Sequence, residues 1–245
     1  MRLVDRLAGA NRLTCRHPLE KILLACGLLG ANFVVPPWPG AALVLGTMTA
    51  ATVGIARLPF REWFRVLLWP MGFLVAGSSV MALTVDPASV MVSVHLEGVQ
   101  TAALTSLRAL AAVSCLAFLA LTTPMADIGW LLSRAGMPQP VIELALLTYR
   151  FTMLLVDMAS HGVTAQKARL GWQGPWQAAR AANLLAAALL PRALERARRL
   201  ETGLAARGFT GALGVRQRDR RPPSLGGIAI VLGTVIVVAT AGVLL

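Results

Sequence analysis

The last 21 residues of the chain, Leu225 to Leu245, carry no charged side chain. A helix of that length is about 30 Å long, which matches the hydrocarbon thickness of a bilayer. The whole chain shows the same tendency, because 56% of its 245 residues are hydrophobic and only 14% are charged, well below the roughly 25% of a soluble domain. The sequence therefore predicts an all-α, polytopic membrane protein.

Four more apolar stretches precede this segment, at residues 22–38, 41–56, 66–85 and 99–123. Basic residues gather in the N-terminal arm and between Arg57 and Arg65, whereas the turn at Pro36–Gly40 has no charge and the loop at 86–98 has no Lys or Arg. Basic loops stay on the cytoplasmic side of a membrane. We therefore predict about five spans, with the N-terminus in the cytoplasm.

The expected organisation follows from this topology. Residues 1–21 form a cytoplasmic arm, residues 22–123 hold four transmembrane helices, residues 124–224 form cytoplasmic coupling helices and residues 225–245 are the final span. The net charge of +12 is explained by cytoplasmic loops that face anionic lipid. Because no basic surface interleaved with aromatic residues is present, nucleic acid is not an expected partner.

The apolar segment Gln139–Ser160 could be mistaken for a further span. Its charged residues Glu143, Arg150 and Asp157 are spaced by seven, so they lie along one stripe of a helix. If the segment crossed the membrane, the twelve basic residues from Lys167 to Arg221 would be exported, against the positive-inside rule. We therefore predict an amphipathic helix at the cytoplasmic face.

A second such helix is predicted from about Trp176 to Arg207. Its apolar residues recur at steps of three and four, as expected for one face of a helix: Leu190, Leu194, Ala197, Leu200 and Leu204. Pro191 either bends this helix or begins a new segment.

Both predicted helices end in the same way, with an arginine followed closely by glycine and an aromatic residue. The first ending reads Lys167-Ala168-Arg169-Leu170-Gly171-Trp172, and the second reads Ala205-Ala206-Arg207-Gly208-Phe209. One interpretation is two ordinary capped surface helices, since glycine and a cation are common at helix C-termini. The alternative is that each arginine projects from a rigid helix and binds a carboxylate of another protein.

Sequence motifs for catalysis are absent. The chain contains no GxxxxGK[ST], HExxH or GxSxG. A metal site of His95 with Asp86 and Glu97 is conceivable, but such a polar loop is more often simply solvated. Arg108 lies within the fourth span, where an arginine is a functional candidate. We favour a structural role for Arg108, in which it caps a carbonyl, pairs within the bundle or reaches a groove shared with a partner subunit.

Three stretches resemble the transmembrane T component of energy-coupling-factor (ECF) transporters, and more closely the CbiQ-type subunit of cobalt and nickel importers. They are Glu195–Phe209, the pair Tyr149–Phe151 with Ala168–Gly171, and the opening Asp5–Asn11 with His17–Lys21. The first triplet reads Ala168-Arg169-Leu170 where the family has Ala-Arg-Gly, and its glycine comes one place later.

The resemblance implies a non-catalytic subunit of the bacterial inner membrane that couples ATP hydrolysis to transport. Its implied partners are two cytoplasmic ATPases (CbiO-like), a substrate-binding membrane subunit (CbiM-like) and a small accessory membrane subunit (CbiN-like). Arg169 and Arg207, with Ala168, Leu170, Ala206 and Gly208, would contact the ATPases, which bind the ATP and Mg. No cofactor or metal is implied in this chain. A self-contained permease or secondary carrier, and less so a membrane-bound enzyme, are the alternatives.

Overall fold

The computed structural model describes residues 8, 11, 13, 16–85, 92–94, 96–209 and 224–244. Its helices, numbered in chain order, are α1 Pro18–Val34, α2 Pro37–Ala50, α3 Phe60–Ala82, α4 Leu96–Thr122, α5 Met125–Arg134, α6 Gln139–Ala168, α7 Pro175–Ala205 and α8 Leu225–Leu244. A π-helical turn, Ala51–Ile55, continues α2. The strands β1 Leu83–Val85 and β2 Val92–Val94 form one antiparallel pair. The predicted all-α class is confirmed, with this short strand pair added to it.

The chain divides into two compact units. The membrane unit comprises residues 3–124 and 218–245, and the insert unit comprises residues 1–2 and 125–217. Among the described residues, four helical segments of the membrane unit are long and apolar enough to cross a bilayer: Pro37–Ile55, Phe60–Val80, Gly98–Thr122 and Leu225–Gly242. The first predicted span corresponds to α1, whose 17 residues are at the lower limit for a transmembrane helix.

Two details of the predicted spans are corrected. The third predicted span is helical only as far as Ala82, because Leu83–Val85 forms a strand. Its helix also begins earlier, at Phe60, so that Arg61 and Arg65 belong to a helix rather than to a loop. Glu62 pairs with Arg65 at 2.9 Å across one turn of that helix.

Helices α1 and α4 run antiparallel, and each places a cation on the last carbonyls of the other. The Lys21 ammonium, at the start of α1, donates to the Thr122 carbonyl at 2.8 Å. Arg108, in the middle of α4, donates to carbonyls at the end of α1. A helix C-terminus has carbonyls without partners and a partial negative charge. Each helix therefore satisfies carbonyls at the end of its neighbour.

Helix α8 runs parallel to α1. Ser224 contacts Glu20 at one end, and further along a Cβ on Gly27 would come within 2.9 Å of Val235. The core of the membrane unit contains large, fully buried side chains from several of its helices: Leu28, Met48, Trp63, Phe118 and Leu121. Since α8 begins at the same end of the unit as α1, the chain leaves this unit after α4 and returns to it at one end.

In the insert unit, α5 packs on α6 and α6 packs on α7. Close approach depends on small residues: a Cβ on Gly129 would come within 3.2 Å of Leu146. The first predicted amphipathic helix extends to Ala168, and the second is continuous through Pro191. No new helix therefore begins at Pro191. Helix α5 was not predicted.

Candidate functional site

The end of α6 is closed by two backbone hydrogen bonds around Leu170, which is in the left-handed conformation with φ 59°. The Leu170 N–H donates to the Lys167 carbonyl at 3.0 Å, and the Gly171 N–H donates to the Gln166 carbonyl at 3.0 Å. These are the two bonds of a Schellman motif, in which the left-handed residue ends the helix. Arg169 is the residue just before this turn.

The end of α7 repeats the same geometry around Gly208, which has φ 70°. The Gly208 N–H donates to the Ala205 carbonyl at 3.0 Å, and the Phe209 N–H donates to the Leu204 carbonyl at 3.1 Å. Arg207 precedes the left-handed residue, as Arg169 does in α6. The two endings are therefore one structural motif, although their sequences differ at the left-handed position.

The departure from the family triplet at Leu170 has a conformational cost. Glycine adopts the left-handed conformation freely, whereas a residue with a Cβ pays about 1–2 kcal/mol. We expect Leu170→Gly to stabilise the end of α6 by about 1 kcal/mol and Gly208→Leu to destabilise the end of α7 by a similar amount. Hydrogen exchange of the Gly171 and Phe209 amides, which close the two turns, measures both effects. Equal exchange in Leu170→Gly and the parent would show that the turn carries no strain.

Both arginines are exposed, and neither guanidinium has a hydrogen-bond or ion-pair partner among the described residues. Apolar side chains lie next to them in sequence and are also accessible: Leu170 is 63% exposed, Trp172 36% and Phe209 38%. A free cation beside an exposed aromatic or aliphatic residue is typical of binding surfaces. Each helix end therefore presents a cationic and apolar surface that the described part of the chain leaves open.

One face of α7 extends this surface from Arg207 back toward the middle of the helix. Its side chains recur at steps of three and four and line a shallow groove of about 300 Å³: Arg196, Arg199, Leu200, Gly203, Leu204 and Arg207. Arg199 is paired with Glu195. The predicted apolar face of α7 is largely uncovered, since Leu190 is 66% exposed and Leu194 53%.

Helices α6 and α7 are held together where Gly162 meets Leu185. A Cβ added at Gly162, in α6, would overlap the Leu185 side chain of α7. A Cβ at Gly203, in α7, would meet nothing within 4 Å. We expect Gly162→Ala to destabilise the insert unit by about 1–3 kcal/mol through overpacking. Gly203→Ala should be neutral or stabilising, since alanine favours a helix. Thermal unfolding of the detergent-solubilised variants provides the comparison, and equal midpoints would contradict close packing at Gly162.

Arg108 takes the structural position that we favoured. Its Nε donates to the Asn32 carbonyl at 2.9 Å, and its Nη2 donates to the Phe33 carbonyl at 3.0 Å and the Val35 carbonyl at 2.7 Å. The Asn32 side chain returns a hydrogen bond to the Arg108 carbonyl at 3.1 Å. Arg108 thus caps the end of α1. Whether it also meets a partner subunit stays a prediction.

The metal hypothesis lies outside what the structure describes. Asp86, His95 and the side chain of Glu97 are not among the described residues. In the described part of the chain, no group of three His, Cys, Asp or Glu residues is placed to hold a metal ion.

Comparison with known proteins identifies the family. Residues 10–218 match the family model of CbiQ, a cobalt transport protein. The chain is 43% identical to the cobalt transport protein CbiQ of Rhodobacter capsulatus, over 99% of this chain and 98% of that protein. It is 28% identical to the cobalt transport protein CbiQ of Salmonella typhimurium, over 85% of this chain and 97% of the relative.

A further relative, in Methanocorpusculum labreanum, is described as a fused cobalt transport protein CbiMQ. It is 26% identical over 94% of this chain, which spans 40% of that longer protein. The resemblance seen in the arginine-containing endings is thus confirmed over almost the whole chain, and this protein belongs to the CbiQ family of cobalt transport proteins.

Proposed function

We propose that this chain is the energy-coupling subunit of an ECF-type importer for cobalt or nickel. In this role it transmits the ATP-driven motion of two cytoplasmic ATPases to a separate substrate-binding membrane subunit. The observation that supports the proposal best is the repeated helix end, where two helices of 30 and 31 residues finish in one hydrogen-bonded geometry. Each presents an exposed arginine that has no hydrogen-bond or ion-pair partner in the part of the chain that the structure describes.

The physical basis is stiffness combined with a specific contact. A helix of about 30 residues is roughly 45 Å long, and its closed C-terminal turn fixes where the arginine emerges. Guanidinium binds carboxylates through two parallel hydrogen bonds, so orientation is transmitted as well as position. A displacement at either helix end would therefore move the whole helix instead of being absorbed by a flexible loop.

The partners follow from the surfaces. The cationic helix ends suit acidic grooves on the two ATPases (CbiO-like). The uncovered apolar face of α7 around Leu190 and Leu194 suits an apolar partner, the substrate-binding membrane subunit (CbiM-like). The CbiMQ relative supports this pairing, since its name joins the two proteins in one chain. The basic arm and loops favour a cytoplasmic N-terminus in the inner membrane. ATP and Mg would be bound by the ATPases, and the chain itself would catalyse no reaction.

Reconstitution into vesicles tests this function against a self-contained carrier. We expect no saturable binding of radioactive Co²⁺ or Ni²⁺ by the isolated chain, and uptake only when the ATPases, ATP and the substrate-binding subunit are all present. A carrier would need a polar site near the bilayer midplane, and would bind or move the ion alone. Saturable binding or uptake by the isolated chain would overturn the proposal.

A further inference from the structure

Two adjacent residues of opposite charge are buried at the start of α1. Glu20 is 6% exposed and Lys21 is 3% exposed. Buried charges are costly unless they are paired or hydrogen-bonded. Their burial is therefore explained by the hydrogen bonds that each side chain makes.

Lys21 holds the end of α4. Its ammonium donates to the Thr122 carbonyl at 2.8 Å, and the Asn11 side-chain amide donates to the neighbouring Leu121 carbonyl at 3.0 Å. A cation here also meets the negative end of the helix dipole. Thr122 is the last residue of α4, and Pro124 is the last residue before the chain passes into the insert unit.

Glu20 holds the start of α8. One carboxylate oxygen accepts hydrogen bonds from the Ser224 N–H at 3.2 Å and the Ser224 hydroxyl at 3.3 Å. That hydroxyl in turn accepts from the Gly227 N–H at 2.9 Å. The approach requires glycine at position 227, because a Cβ there would lie 2.7 Å from the same carboxylate oxygen. An anion at a helix N-terminus meets the positive end of the dipole.

Lys21 holds the last turn of α4, just before the insert unit begins at Met125, and Glu20 holds Ser224, seven residues after the insert unit ends at Gln217. Thr122, which Lys21 binds, lies two residues before Pro124, where the chain leaves the membrane unit. Ser224, which Glu20 binds, lies in the segment 218–245 that returns to it. We propose that Glu20 and Lys21 form an anchor that fixes the two helix ends of the membrane unit that flank the insert unit in the chain. They are positioning residues for energy coupling, a role that rests on the proposed function.

The mechanical argument is that motion must be passed on rather than lost at the attachment points. If α4 and α8 could fray at the helix ends that flank the insert unit in the chain, a displacement of that unit would unwind these ends instead of moving the helices. Hydrogen bonds to buried, charged groups resist such fraying because breaking them removes part of what compensates the burial of the charge. Glu20 is also paired with Arg16, at 3.5 Å. The anchor is built on α1, which is itself fixed at its other end by Arg108.

The anchor is tested first without reference to transport. In the full-length chain within its complex, Lys21→Met and Glu20→Gln are each expected to raise amide hydrogen exchange at least tenfold in the last turn of α4 and the first turn of α8. The pair of Glu62 and Arg65 provides the control, since it lies within one turn of α3; Glu62→Gln and Arg65→Met should leave those amides unchanged. Unchanged exchange in both anchor variants would overturn the anchor.

Transport then tests coupling. We expect Lys21→Met to retain the ATPases and ATP hydrolysis while ion uptake per ATP hydrolysed falls at least fivefold, and Lys21→Arg to restore it because arginine can also donate to the Thr122 carbonyl. A merely structural role would lower assembly, hydrolysis and uptake together, and that result would contradict the proposal, as would an unchanged ratio. If Lys21→Met does not accumulate, Ser224→Ala decides by the same ratio, because it removes the hydroxyl that links Glu20 to the Gly227 N–H and leaves every charge in place.

The two proposals can fail separately. Normal ATPase binding by an Arg169 and Arg207 double variant would remove the coupling function, but would leave the hydrogen-exchange result intact. Conversely, unchanged exchange in the Glu20 and Lys21 variants would remove the anchor and leave the arginine contacts untouched.

Discussion

Replacing both Arg169 and Arg207 with alanine is expected to abolish recovery of the ATPase subunits with this chain. The exposed guanidinium groups have no partners among the described residues, so their loss removes no internal contact. A hydrogen bond to a charged group is worth about 1.5–3 kcal/mol, which corresponds to a loss of about 10- to 150-fold in affinity for each arginine. Co-purification of tagged chain with the ATPases measures the loss, and uptake should fall with it.

The matched control separates position from net charge. Arg180 and Arg192 are also exposed on α7, so Arg180→Ala with Arg192→Ala removes the same charge away from the helix ends. That variant should retain the ATPases. Lysine at positions 169 and 207 keeps the charge but lacks the planar fork, so we expect it to rescue poorly. Full recovery and uptake in the double alanine variant would disprove the contact.

The helices were predictable because their determinants are local in sequence. Long apolar runs identify α2, α3, α4 and α8. The stripe of Glu143, Arg150 and Asp157, with the basic residues that follow, predicts that α6 is amphipathic rather than a span. The sequence predicts Leu83–Val85 as the end of a span, because an apolar run does not by itself separate strand from helix. Helix α5 was missed because its ten residues are too short for a periodic pattern to stand out.

The candidate site was predictable in its residues and only partly in its geometry. Arg169 and Arg207 were found because their endings share arginine, glycine and an aromatic residue. The two endings differ in sequence at the left-handed position, where Leu170 corresponds to Gly208. The structure gives both the same hydrogen bonds, because backbone pairing at the helix end outweighs the cost of a left-handed leucine.

The hydrogen-bond partners at the helix ends are not predictable from the sequence. Arg108, Lys21 and Glu20 are visible as charges, but the groups they bind are mostly backbone carbonyls and amides of residues 73 to 204 positions away. Every residue has these groups, so no side-chain pattern identifies the partner. Their assignment required the three-dimensional arrangement of α1, α4 and α8.

Replacing Arg108 with methionine is expected to destabilise the membrane unit even though it makes the span more apolar. An arginine within a span carries a cost of about 2.5–3.5 kcal/mol on insertion scales, but that cost is also present when the inserted helices are separated. In the packed helices, the variant lacks the hydrogen bonds that cap the Asn32, Phe33 and Val35 carbonyls. Since an unsatisfied buried acceptor costs about 1–3 kcal/mol, we expect a net loss of about 2–4 kcal/mol.

A native cysteine reports this loss directly. Cys115 is fully buried on α4, two turns from Arg108, so in a chain with Cys15→Ser and Cys26→Ser its reaction with a thiol reagent requires opening of the core. We expect Arg108→Met to accelerate labelling of Cys115 by about 30-fold or more, which is the fold-change for 2 kcal/mol.

The control Thr105→Val alters an exposed residue of α4 whose hydroxyl bonds only its own helix, and it should label like the parent. Arg108→Lys should give a labelling rate between those of the parent and Arg108→Met, because one ammonium cannot reach all three carbonyls in the arrangement of the planar guanidinium. Parent-like labelling of Arg108→Met would show that α1 needs no cap, and that this arginine is retained for a contact outside the chain.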